Sequence, residues 1–328
     1  MKILIIRFSS IGDIVLTTPV VRCLKKQLPS SEIHYLTKPS YNSIIKNNPY
    51  INKTHYLNER LSDTITELRN EKYDLIIDLH NNFRTWLIKM QLGVKSIAFN
   101  KLNFEKWIYV TFKWNVLPDI HIVDRYLETV RYLGVKNDGE GLDYFLSAQD
   151  VVSLESLPLT HLHGFIAVVI GAKHITKRLP LDKLKNLCRL LAYPVVLLGG
   201  PEDKDQGDII AGEEPLKIFN GCGKFTLNQS AFLIKTSLSV ITHDTGLMHI
   251  AAAFRKKIIS IWGNTVPEFG MYPYVRGVNR PLSKMVEIEK LYCRPCSKIG
   301  YKRCPEGHFK CMNLIDERRI PELLKTLQ

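Results

Sequence analysis

The sequence has no long apolar run. No stretch approaches the roughly 18 consecutive apolar residues that a transmembrane helix needs. The apolar residues 3–6 near the N-terminus are too few for the hydrophobic region of a signal peptide, and Arg7 follows them directly. We therefore expect a first β-strand at this position, and a protein that is soluble or peripheral to a membrane.

The sequence also lacks the features of disordered and repetitive proteins. Hydrophobic residues make up 45% of the chain and charged residues 23%, which is ordinary for a globular protein. There is no internal repeat of fixed period and no low-complexity tract. At 328 residues the chain exceeds the roughly 250 to 300 residues at which single hydrophobic cores stop growing, so two domains are expected.

Acidic residues are too few to balance the basic ones. The formal net charge is +13, and most of the excess lies after residue 160, where 25 Lys and Arg face 15 Asp and Glu. This balance suits nucleotides, nucleic acid and anionic membrane surfaces equally well, and it does not indicate a fold.

Cysteine is scarce, with seven residues in all, and no export signal accompanies it. This usage favours a reducing compartment, where clustered thiols are more often metal ligands than disulfides. Cys293, Cys296, Cys304 and Cys311 have the spacing C-x2-C-x7-C-x6-C, which is enough for a tetrahedral structural zinc site if the loop folds back on itself. The alternative is a set of partly buried, reduced thiols.

Short apolar runs alternate with amphipathic segments along the chain. Near-continuous apolar runs are typical of parallel strands that are buried on both faces, and helical segments between them predict right-handed crossovers. The predicted strands are residues 2–8, 32–37, 74–80, 165–170, 194–198, 238–242 and 257–262. The sequence therefore predicts two consecutive doubly wound α/β domains.

A weakly periodic stretch that contains Pro158 separates the two series of strands. We therefore expect an N-terminal Rossmann-like domain over residues 1–155 and a second one over residues 156–315, which includes the cysteine cluster at 293–311. We expect residues 316–328 to form a C-terminal helix that packs back on the N-terminal domain.

The loop after the first strand, Arg-Phe-Ser-Ser-Ile-Gly-Asp at residues 7–13, lies where ligands of such sheets bind. Its small residues let the backbone approach a ligand, and Asp13 lies at the start of the next helix, where a carboxylate can accept a proton. The alternative is a first-turn aspartate favoured by the helix dipole. The three glycines of the dinucleotide-binding fingerprint are absent.

The loop His-Asp-Thr-Gly-Leu-Met-His at residues 243–249 also follows a predicted strand. The amides of Thr245, Gly246 and Leu247 would lie at a helix N-terminus, where a diphosphate binds well. An ordinary Asp or Thr N-cap is the alternative.

Two further loops follow strands of the second series. Residues 171–180 carry four cationic or potentially cationic side chains, which suit either a phosphate contact or a solvated basic loop. After the strand 194–198, Asp203 and Asp205 could hold a divalent cation, but we expect them in the first turn of a helix. Glu202 is then left to accept hydrogen bonds from ribose hydroxyls.

Taken together, these motifs resemble one protein family. The Ser-Ser-x-Gly-Asp loop, the His-Asp-Thr-Gly-x-x-His-x-x-Ala-Ala segment and the Lys-x-x-Pro turn are similar to glycosyltransferase family 9, the lipopolysaccharide heptosyltransferases. The resemblance spans nearly the whole chain. It implies the GT-B architecture, with two Rossmann-like domains facing a central cleft and ADP-heptose as the donor. The chain departs from better-known members at residues 173–174, where small hydroxyl residues are more familiar.

The resemblance also implies residue roles. Asp13 matches the general base that removes a proton from the acceptor hydroxyl, and Lys177 matches a catalytic lysine that reaches the phosphates. The implied donor contacts are Lys177, Glu202 (ribose), Asp244 (sugar), the backbone of Thr245, Gly246 and Leu247 (diphosphate), and His249 (pocket wall).

Acceptor contacts are expected from the N-terminal domain. The residues assigned to them are Ser9, Ser10, Gly12, His80 and Arg84. His80 has an alternative, because a histidine at a strand end is often structural.

The resemblance and the charges together define an expected reaction. A base on one domain and positive potential on the other suit an inverting transfer that needs no metal, onto an anionic glycolipid of the lipopolysaccharide core or lipid A type. We expect a cytoplasmic enzyme, peripheral at the inner membrane, with no nucleic-acid partner. The aromatic residues within 104–114 would touch that membrane, or instead fill the N-terminal core, which is the expectation we favour.

Two other functions compete with this interpretation. A nucleotide-sugar epimerase of the same architecture would also bind a diphosphate, but it would need further acid and base residues around the sugar. A nucleic-acid-binding protein with a zinc ribbon would account for the charge and the C-x2-C pair. However, the basic residues are not interleaved with aromatics as in a known nucleic-acid module.

Overall fold

The computed structural model describes residues 1–276 and 282–327. The chain divides into two compact units, and each contains one parallel sheet. The first unit consists of Met1–Lys101 and Ile120–Phe145, and the second of Leu102–Asp119 and Leu146–Gln328.

The sheet of the first unit is parallel throughout. Its strands are β1 (Lys2–Ile6), β2 (Glu32–Thr37), β3 (Lys53–Tyr56), β4 (Leu75–Asp78) and β5 (Ser96–Ala98). They lie in the order β3-β2-β1-β4-β5. The residues Ile3 to Ile6 of β1 are fully buried, as the apolar run predicts for a central strand covered on both faces.

Helices connect these strands. They are α1 (Ile11–Val15), α2 (Thr18–Gln27), α3 (Asn42–Ile45), α4 (Leu61–Asn70) and α5 (Phe83–Leu92), followed by α6 (Asn103–Phe112) and α7 (Ile122–Leu127). Of these, α6 belongs to the second unit and α7 to the first.

An arginine of α2 explains why the first unit includes residues up to 145. Arg22 is 2% exposed, and its guanidinium donates to both carboxylate oxygens of Asp138 at 2.8 Å and to the Gly141 carbonyl at 2.8 Å. Asp143 pairs with the same guanidinium. These contacts tie residues 138–143 to α2.

The second unit repeats the plan around another parallel sheet. Its strands are β6 (Ile166–Val169), β7 (Val195–Leu198), β8 (Ile218–Asn220), β9 (Ser239–His243), β10 (Ile258–Trp262) and β11 (Ser283–Glu287). Their order is β11-β10-β9-β6-β7-β8. The helices are α8 (Leu181–Leu190), α9 (Lys204–Ala211), α10 (Leu227–Thr236), α11 (Gly246–Ala253), α12 (Lys310–Asn313) and α13 (Arg319–Lys325).

The helix α6 lies outside the unit to which the sequence assigned it. The predicted N-terminal domain, residues 1–155, contains residues 102–119, whereas the structure places them in the second unit. Lys113 Nζ donates to the Pro295 carbonyl at 2.8 Å, and Lys298 Nζ donates to the Asn103 carbonyl at 3.0 Å. These contacts hold α6 to the chain around residue 295.

The aromatic side chains of α6 are exposed. No residue of this helix is buried, and Phe104, Trp107, Phe112 and Trp114 are 68%, 48%, 50% and 69% exposed. The expectation that these aromatics fill the N-terminal core is therefore wrong. We call these four side chains the α6 aromatic surface.

The C-terminal helix also belongs to the second unit. Ile320 and Leu327 are fully buried in a core cluster that includes Leu187 and Ile259. Residues 316–328 were expected to pack back on the N-terminal domain, but burial of these two side chains makes α13 part of the second core.

None of the helices in residues 1–276 and 282–327 has both the length and the apolar character required to cross a membrane.

Candidate active site

The loop between β1 and α1 holds Asp13 through a small set of polar contacts. Asp13 Oδ1 pairs with Arg7 Nη2 at 2.5 Å, and Asp13 Oδ2 accepts from the Ser10 amide at 3.1 Å and hydroxyl at 2.6 Å. The carboxylate is 19% exposed. Asp13 is therefore held at the start of α1 and still reaches solvent, as a base that meets a substrate must.

Arg7 orients the carboxylate of Asp13. It is 7% exposed, and its guanidinium also donates to the carbonyls of Ser9 and Leu79 and to the Tyr126 hydroxyl, at 2.8, 2.5 and 3.0 Å. The guanidinium thus joins the loop after β1 to the end of β4 and to α7.

A cavity of about 420 Å³ opens beside this loop in the first unit. Its wall consists of Phe8, Ser9, Lys38, His80, Asn82, Phe83 and Arg84. The predicted acceptor residues Ser9, His80 and Arg84 are therefore brought together, whereas Ser10 and Gly12 do not line the cavity. Lys38 and Arg84 also line a second cavity of about 480 Å³, so both cavities have cationic walls suited to an anionic acceptor.

The imidazole of His80, in the loop after β4, is neutral. Burial, and then the charges of Arg7 and Lys101, lower the pKa of His80 to about 4. Its ring lies 4.8 Å from that of Phe8, and within the described chain its Nδ1 is buried without a hydrogen-bond partner. A neutral imidazole with an unsatisfied nitrogen in a cavity wall suits a hydroxyl-bearing ligand.

In the second unit, Lys177 and Asp244 meet. Lys177 Nζ lies 2.5 Å from Asp244 Oδ2, and both side chains are mostly buried. Lys177 ends a short 3₁₀ turn after β6, and Asp244 directly follows β9. The adjacent carboxyl ends of these two strands thus bring the predicted lysine and aspartate into contact.

The N-terminus of α11 adjoins this pair and has no capping side chain. Thr245 occupies the N-cap position with extended backbone, yet its hydroxyl makes no cap hydrogen bond. Residues 244–247 are partly exposed. Amides in the first turn of an uncapped helix are free to bind an anion, as the sequence predicts for a diphosphate.

The two remaining residues that the sequence predicts to contact the donor, Glu202 and His249, differ in their exposure. Glu202 is exposed in the short 3₁₀ turn after β7, as expected for a side chain that contacts a ligand. His249 is 2% exposed on the buried face of α11. Its side chain therefore packs inside the unit.

A model of glycosyltransferase family 9 (heptosyltransferase) matches residues 62–308 of the chain. The chain belongs to this family. Lipopolysaccharide heptosyltransferase 1 of Campylobacter coli is 24% identical to it over 100% of this chain and 99% of that protein. Family membership makes the chain a glycosyltransferase and sets aside the epimerase and the nucleic-acid-binding protein.

Solved structures share the fold. A family 9 glycosyltransferase from Veillonella parvula matches with a TM-score of 0.79 at 21% identity, over 99% of this chain and 96% of that one. An E. coli heptosyltransferase solved with ADP matches with a TM-score of 0.70 at 18% identity, over 100% of both chains. The predicted fold class, two Rossmann-like α/β sheets of GT-B type, is confirmed.

This glycosyltransferase has buried polar contacts beside the site that the sequence did not predict. Asp203 is 1% exposed, accepts from Arg178 Nη1 at 2.6 Å and from the Gly200 amide at 2.9 Å, and so joins the loops after β6 and β7. A Cβ on Gly171 would lie 2.1 Å from Asp203 Oδ2. Asp203 therefore lies in the helical turn before α9, close to the predicted position, and it also forms a buried crosslink between two loops that the sequence did not indicate.

A second contact of this kind lies after β10. Thr265 Oγ1 donates to Asp244 Oδ2 at 2.9 Å, so Asp244 receives bonds from Thr265 and Lys177 together. Arg294 is 9% exposed and donates to the carbonyls of Gly263 and Thr265 at 2.5 and 3.0 Å. No sequence signal marked Thr265, and Arg294, which lies between Cys293 and Cys296, was not assigned a role.

The cysteine cluster is gathered in one region of the second unit. All four thiols are free, and burial raises the pKa of Cys296 to about 12 and that of Cys311 to about 11, with Cys293 adding to both shifts. Cys293 Sγ lies 3.9 Å from His308 Nε2. In the described chain these cysteines do not form a group of ligand atoms that all lie within 4.8 Å of one another.

The basic loop after β6 packs against the segment that follows the C-x2-C pair. The Thr176 hydroxyl donates to the Tyr301 carbonyl at 3.1 Å and accepts from its amide at 2.8 Å. A Cβ on Gly300 would lie 2.6 Å from the His174 Cβ. The unusual residue His174 therefore contacts the cysteine loop, while Lys173 is exposed.

Proposed function

We propose that this enzyme transfers heptose from ADP-heptose to an anionic acceptor of the lipopolysaccharide core or lipid A type. The observation that carries the proposal is the Lys177–Asp244 pair, at 2.5 Å, beside the uncapped N-terminus of α11. The name of the Campylobacter coli relative and the ADP bound to the E. coli heptosyltransferase support this choice of substrates.

The donor diphosphate binds to the amides of Thr245, Gly246 and Leu247, and Lys177 neutralises the charge that develops on it as the bond to the sugar breaks. Asp244 accepts hydrogen bonds from the heptose hydroxyls, and Glu202 accepts them from the ribose. Because a lysine and fixed amides supply the positive potential, this transfer needs no metal ion.

The acceptor binds in the first unit, against Ser9, His80 and Arg84. Asp13 removes the proton from its hydroxyl as the oxygen attacks the anomeric carbon from the face opposite the diphosphate. A single displacement of this kind inverts the anomeric configuration. Ser10 and Arg7 hold Asp13 in place for the proton transfer.

Replacement of Asp13 by Ala tests this mechanism. We expect transfer to fall by at least the factor of about 10² to 10⁴ that general base catalysis contributes, with the affinity for ADP-heptose nearly unchanged. Release of ADP gives the rate, and NMR of the product gives its anomeric configuration. Asp63→Ala, at an exposed position of α4, is the matched control. Wild-type turnover in Asp13→Ala, or a product with retained configuration, would contradict the mechanism.

Thermal unfolding with a panel of ADP-, GDP- and UDP-sugars tests the donor. A ligand that binds the native state raises the unfolding midpoint by mass action, so ADP-heptose should give the largest shift. A larger shift with a UDP- or GDP-sugar would replace the proposed donor.

The acceptor is presented at the inner face of the cytoplasmic membrane, and the enzyme contacts that membrane peripherally through the α6 aromatic surface. Aromatic side chains with lysines close by suit the interface of an anionic bilayer. Lys113 and the +13 charge of the chain supply this positive potential.

We also propose that the four cysteines hold a structural zinc ion, which requires their sulfur atoms to come closer together than they lie in the described chain. Thiolates in a C-x2-C pair with two further cysteines form a donor set that suits zinc, and His308 lies beside Cys293. Metal analysis of purified protein tests the site, and less than about a tenth of an equivalent of zinc would remove it.

A further inference from the structure

A compact group of histidines and carboxylates lies in the first unit, away from the loop that holds Asp13. His34 is in β2 and His55 in β3, and both are 1% exposed. In the parallel register His55 pairs with Leu36, two residues after His34, so both imidazoles project from the same face of the sheet.

Three ligand atoms converge at this point. His34 Nδ1 lies 3.1 Å from His55 Nε2, while Glu71 oxygens lie 3.8 Å from His34 Nδ1 and 3.7 Å from His55 Nε2. Among residues 1–276 and 282–327, this is the one group of three His, Cys, Asp or Glu ligand atoms that all lie within 4.8 Å of one another.

Hydrogen bonds on the far side of each ring fix which nitrogen carries the proton. His34 Nε2 lies 2.8 Å from Glu32 Oε1, and His55 Nδ1 lies 2.6 Å from Glu67 Oε1. An ionised carboxylate only accepts, so both of these ring nitrogens donate. In neutral imidazoles the two nitrogens that face each other therefore both carry lone pairs, and a cation bound to both removes their repulsion.

We propose that His34 Nδ1, His55 Nε2 and the Glu71 carboxylate bind a divalent transition-metal ion of the zinc type. Two imidazoles and one carboxylate form a donor set that suits zinc. The Tyr73 hydroxyl, 3.0 Å from His34 Nδ1, or a water molecule completes the coordination.

The surrounding charges favour a dication. Three carboxylates, Glu32, Glu67 and Glu71, face two ammonium groups, those of Lys2 and Lys53, which bond to Glu71 at 3.1 and 2.5 Å. The carboxylates outnumber the ammonium groups by one, so a bound cation would offset the remaining negative charge. Carboxylates that accept from the second nitrogen of ligating histidines are also the usual outer support of a zinc site.

This metal is structural in role. Glu67 is in α4 and Glu71 directly follows it, while the two histidines are in β2 and β3. The ion therefore fastens α4 to two strands of the sheet. Its effect falls on stability, and the site stands or fails independently of the proposed transfer reaction.

Zinc binding is measured in a background that removes the competing thiols, Cys293→Ser with Cys296→Ser. After treatment with a chelator, this protein should bind about one equivalent of added Zn²⁺, and the ion should raise its unfolding midpoint. Co²⁺ should give d–d absorption without a thiolate-to-metal charge-transfer band. No bound zinc and an unmoved midpoint would overturn the site and leave a hydrogen-bonded polar cluster.

Variants locate the ion. In the same background, His55→Gln should lose the equivalent, whereas His163→Gln, at an exposed position, should keep it. If His55→Gln does not fold, Glu67→Gln serves instead. Its side chain is 45% exposed, and loss of this outer support should weaken zinc affinity by about 10- to 100-fold. Full affinity in a folded His55→Gln, or in Glu67→Gln where His55→Gln does not fold, would overturn the assignment.

Discussion

Asp244 Oδ2 accepts from two groups, the Lys177 ammonium and the Thr265 hydroxyl. The carboxylate is thus fixed from two sides, one on the loop after β6 and the other on the loop after β10. A donor that binds beside Asp244 meets a carboxylate that is already oriented, so little ordering remains for the substrate to induce.

Replacement of Lys177 by Met should affect both binding and turnover. The variant removes the cation that we propose contacts the diphosphate, and it removes the ammonium partner of Asp244. We expect kcat to fall by about 10² to 10³ and donor affinity to fall as well. Lys302→Met, at an exposed position, is the control. In Lys177→Met with Asp244→Asn, donor affinity should partly recover, and no recovery would mean that the two charges act separately.

His80 gives the first unit a pH dependence of known sign. The pKa of His80 is lowered from its ordinary value of 6.5 to about 4 in the folded state, so the unfolded chain binds more protons between these two pH values. Stability should therefore fall as the pH is lowered from about 6.5 to 4, by up to about 3 kcal/mol from this residue. Urea unfolding of His80→Gln over this pH range should show a smaller loss than the wild type. Equal slopes would contradict the inference.

Individual site residues were predictable where a local rule applied. Thr245 and Gly246 follow β9 and begin α11, and Asp13 lies in the first turn of α1 after β1, so the placement of these residues was predicted, whereas their roles remain predictions. The contacts of Asp203 and Thr265 were not predicted, because their partners, Arg178 and Asp244, are distant in sequence. Nothing in the local sequence distinguishes a buried crosslink from a surface residue of the same type.

At the scale of elements, the loops after β6 and β7 are packed around one carboxylate. Cβ atoms on Gly171 and Gly199 would approach Asp203 Oδ2 to 2.1 and 2.7 Å. Because these contacts involve a buried side chain that is fixed by Arg178, the loops have little space in which to adjust.

Gly171→Ala should therefore displace Asp203 and break its contact with Arg178. We expect a loss of stability of about 1 to 3 kcal/mol, as for other overpacked sites, together with weaker donor binding. Denaturant unfolding and donor titration measure the two effects. Gly212→Ala, at the end of α9 where φ is −62°, is the control and should change neither. An unchanged midpoint in Gly171→Ala would show that the loop adapts.

The central strands of both sheets were predicted from sequence, and the edge strands were not. β1, β4, β6, β7, β9 and β10 are buried on both faces and appear as apolar runs. Three of the four edge strands, β3, β5 and β11, are partly exposed and mix polar with apolar residues, and the fourth, β8, is mostly buried but only three residues long. Their strand structure depends on pairing with a neighbour, which composition alone does not reveal.

For the whole molecule, the α6 aromatic surface is a part of the second unit where several exposed aromatic side chains lie together. Phe104 and Trp107 stack with ring centroids 6.0 Å apart, and Trp107 meets Phe112 edge-on at 5.5 Å. These rings pack against one another while they remain exposed, which gives a continuous apolar face of the kind that a lipid interface can bury.

Phe104→Ala with Trp107→Ala should reduce binding to vesicles that contain anionic lipid. Wild-type binding should weaken as salt rises and should be weak on neutral vesicles, because the positive charge of the chain contributes to it. Co-sedimentation measures the bound fraction, and Tyr193→Ala, at a position 52% exposed, is the matched control. Equal binding by the double variant and the wild type would assign membrane contact to another surface.

The presence of two domains was predicted from length and strand order. The chain segments that make up each domain were not. The series of predicted strands is interrupted once, between residues 146 and 164, so a single domain boundary was the simplest inference. The contacts of Arg22 with residues 138–143 and of α6 with Pro295 join segments that are distant in sequence. Only the folded chain reveals these assignments.

Because residues 102–119 belong to the second unit, a single truncation point cannot separate the two units. The chain changes units after Lys101, Asp119 and Phe145, so a fragment truncated at residue 145 would carry α6 without Pro295 and Phe269, its neighbours in the second unit. Such a fragment would expose backbone and aromatic groups with nothing to cover them. A chimera that exchanges the first unit with that of a relative needs three junctions, and the segment between the first two must be kept with the second unit.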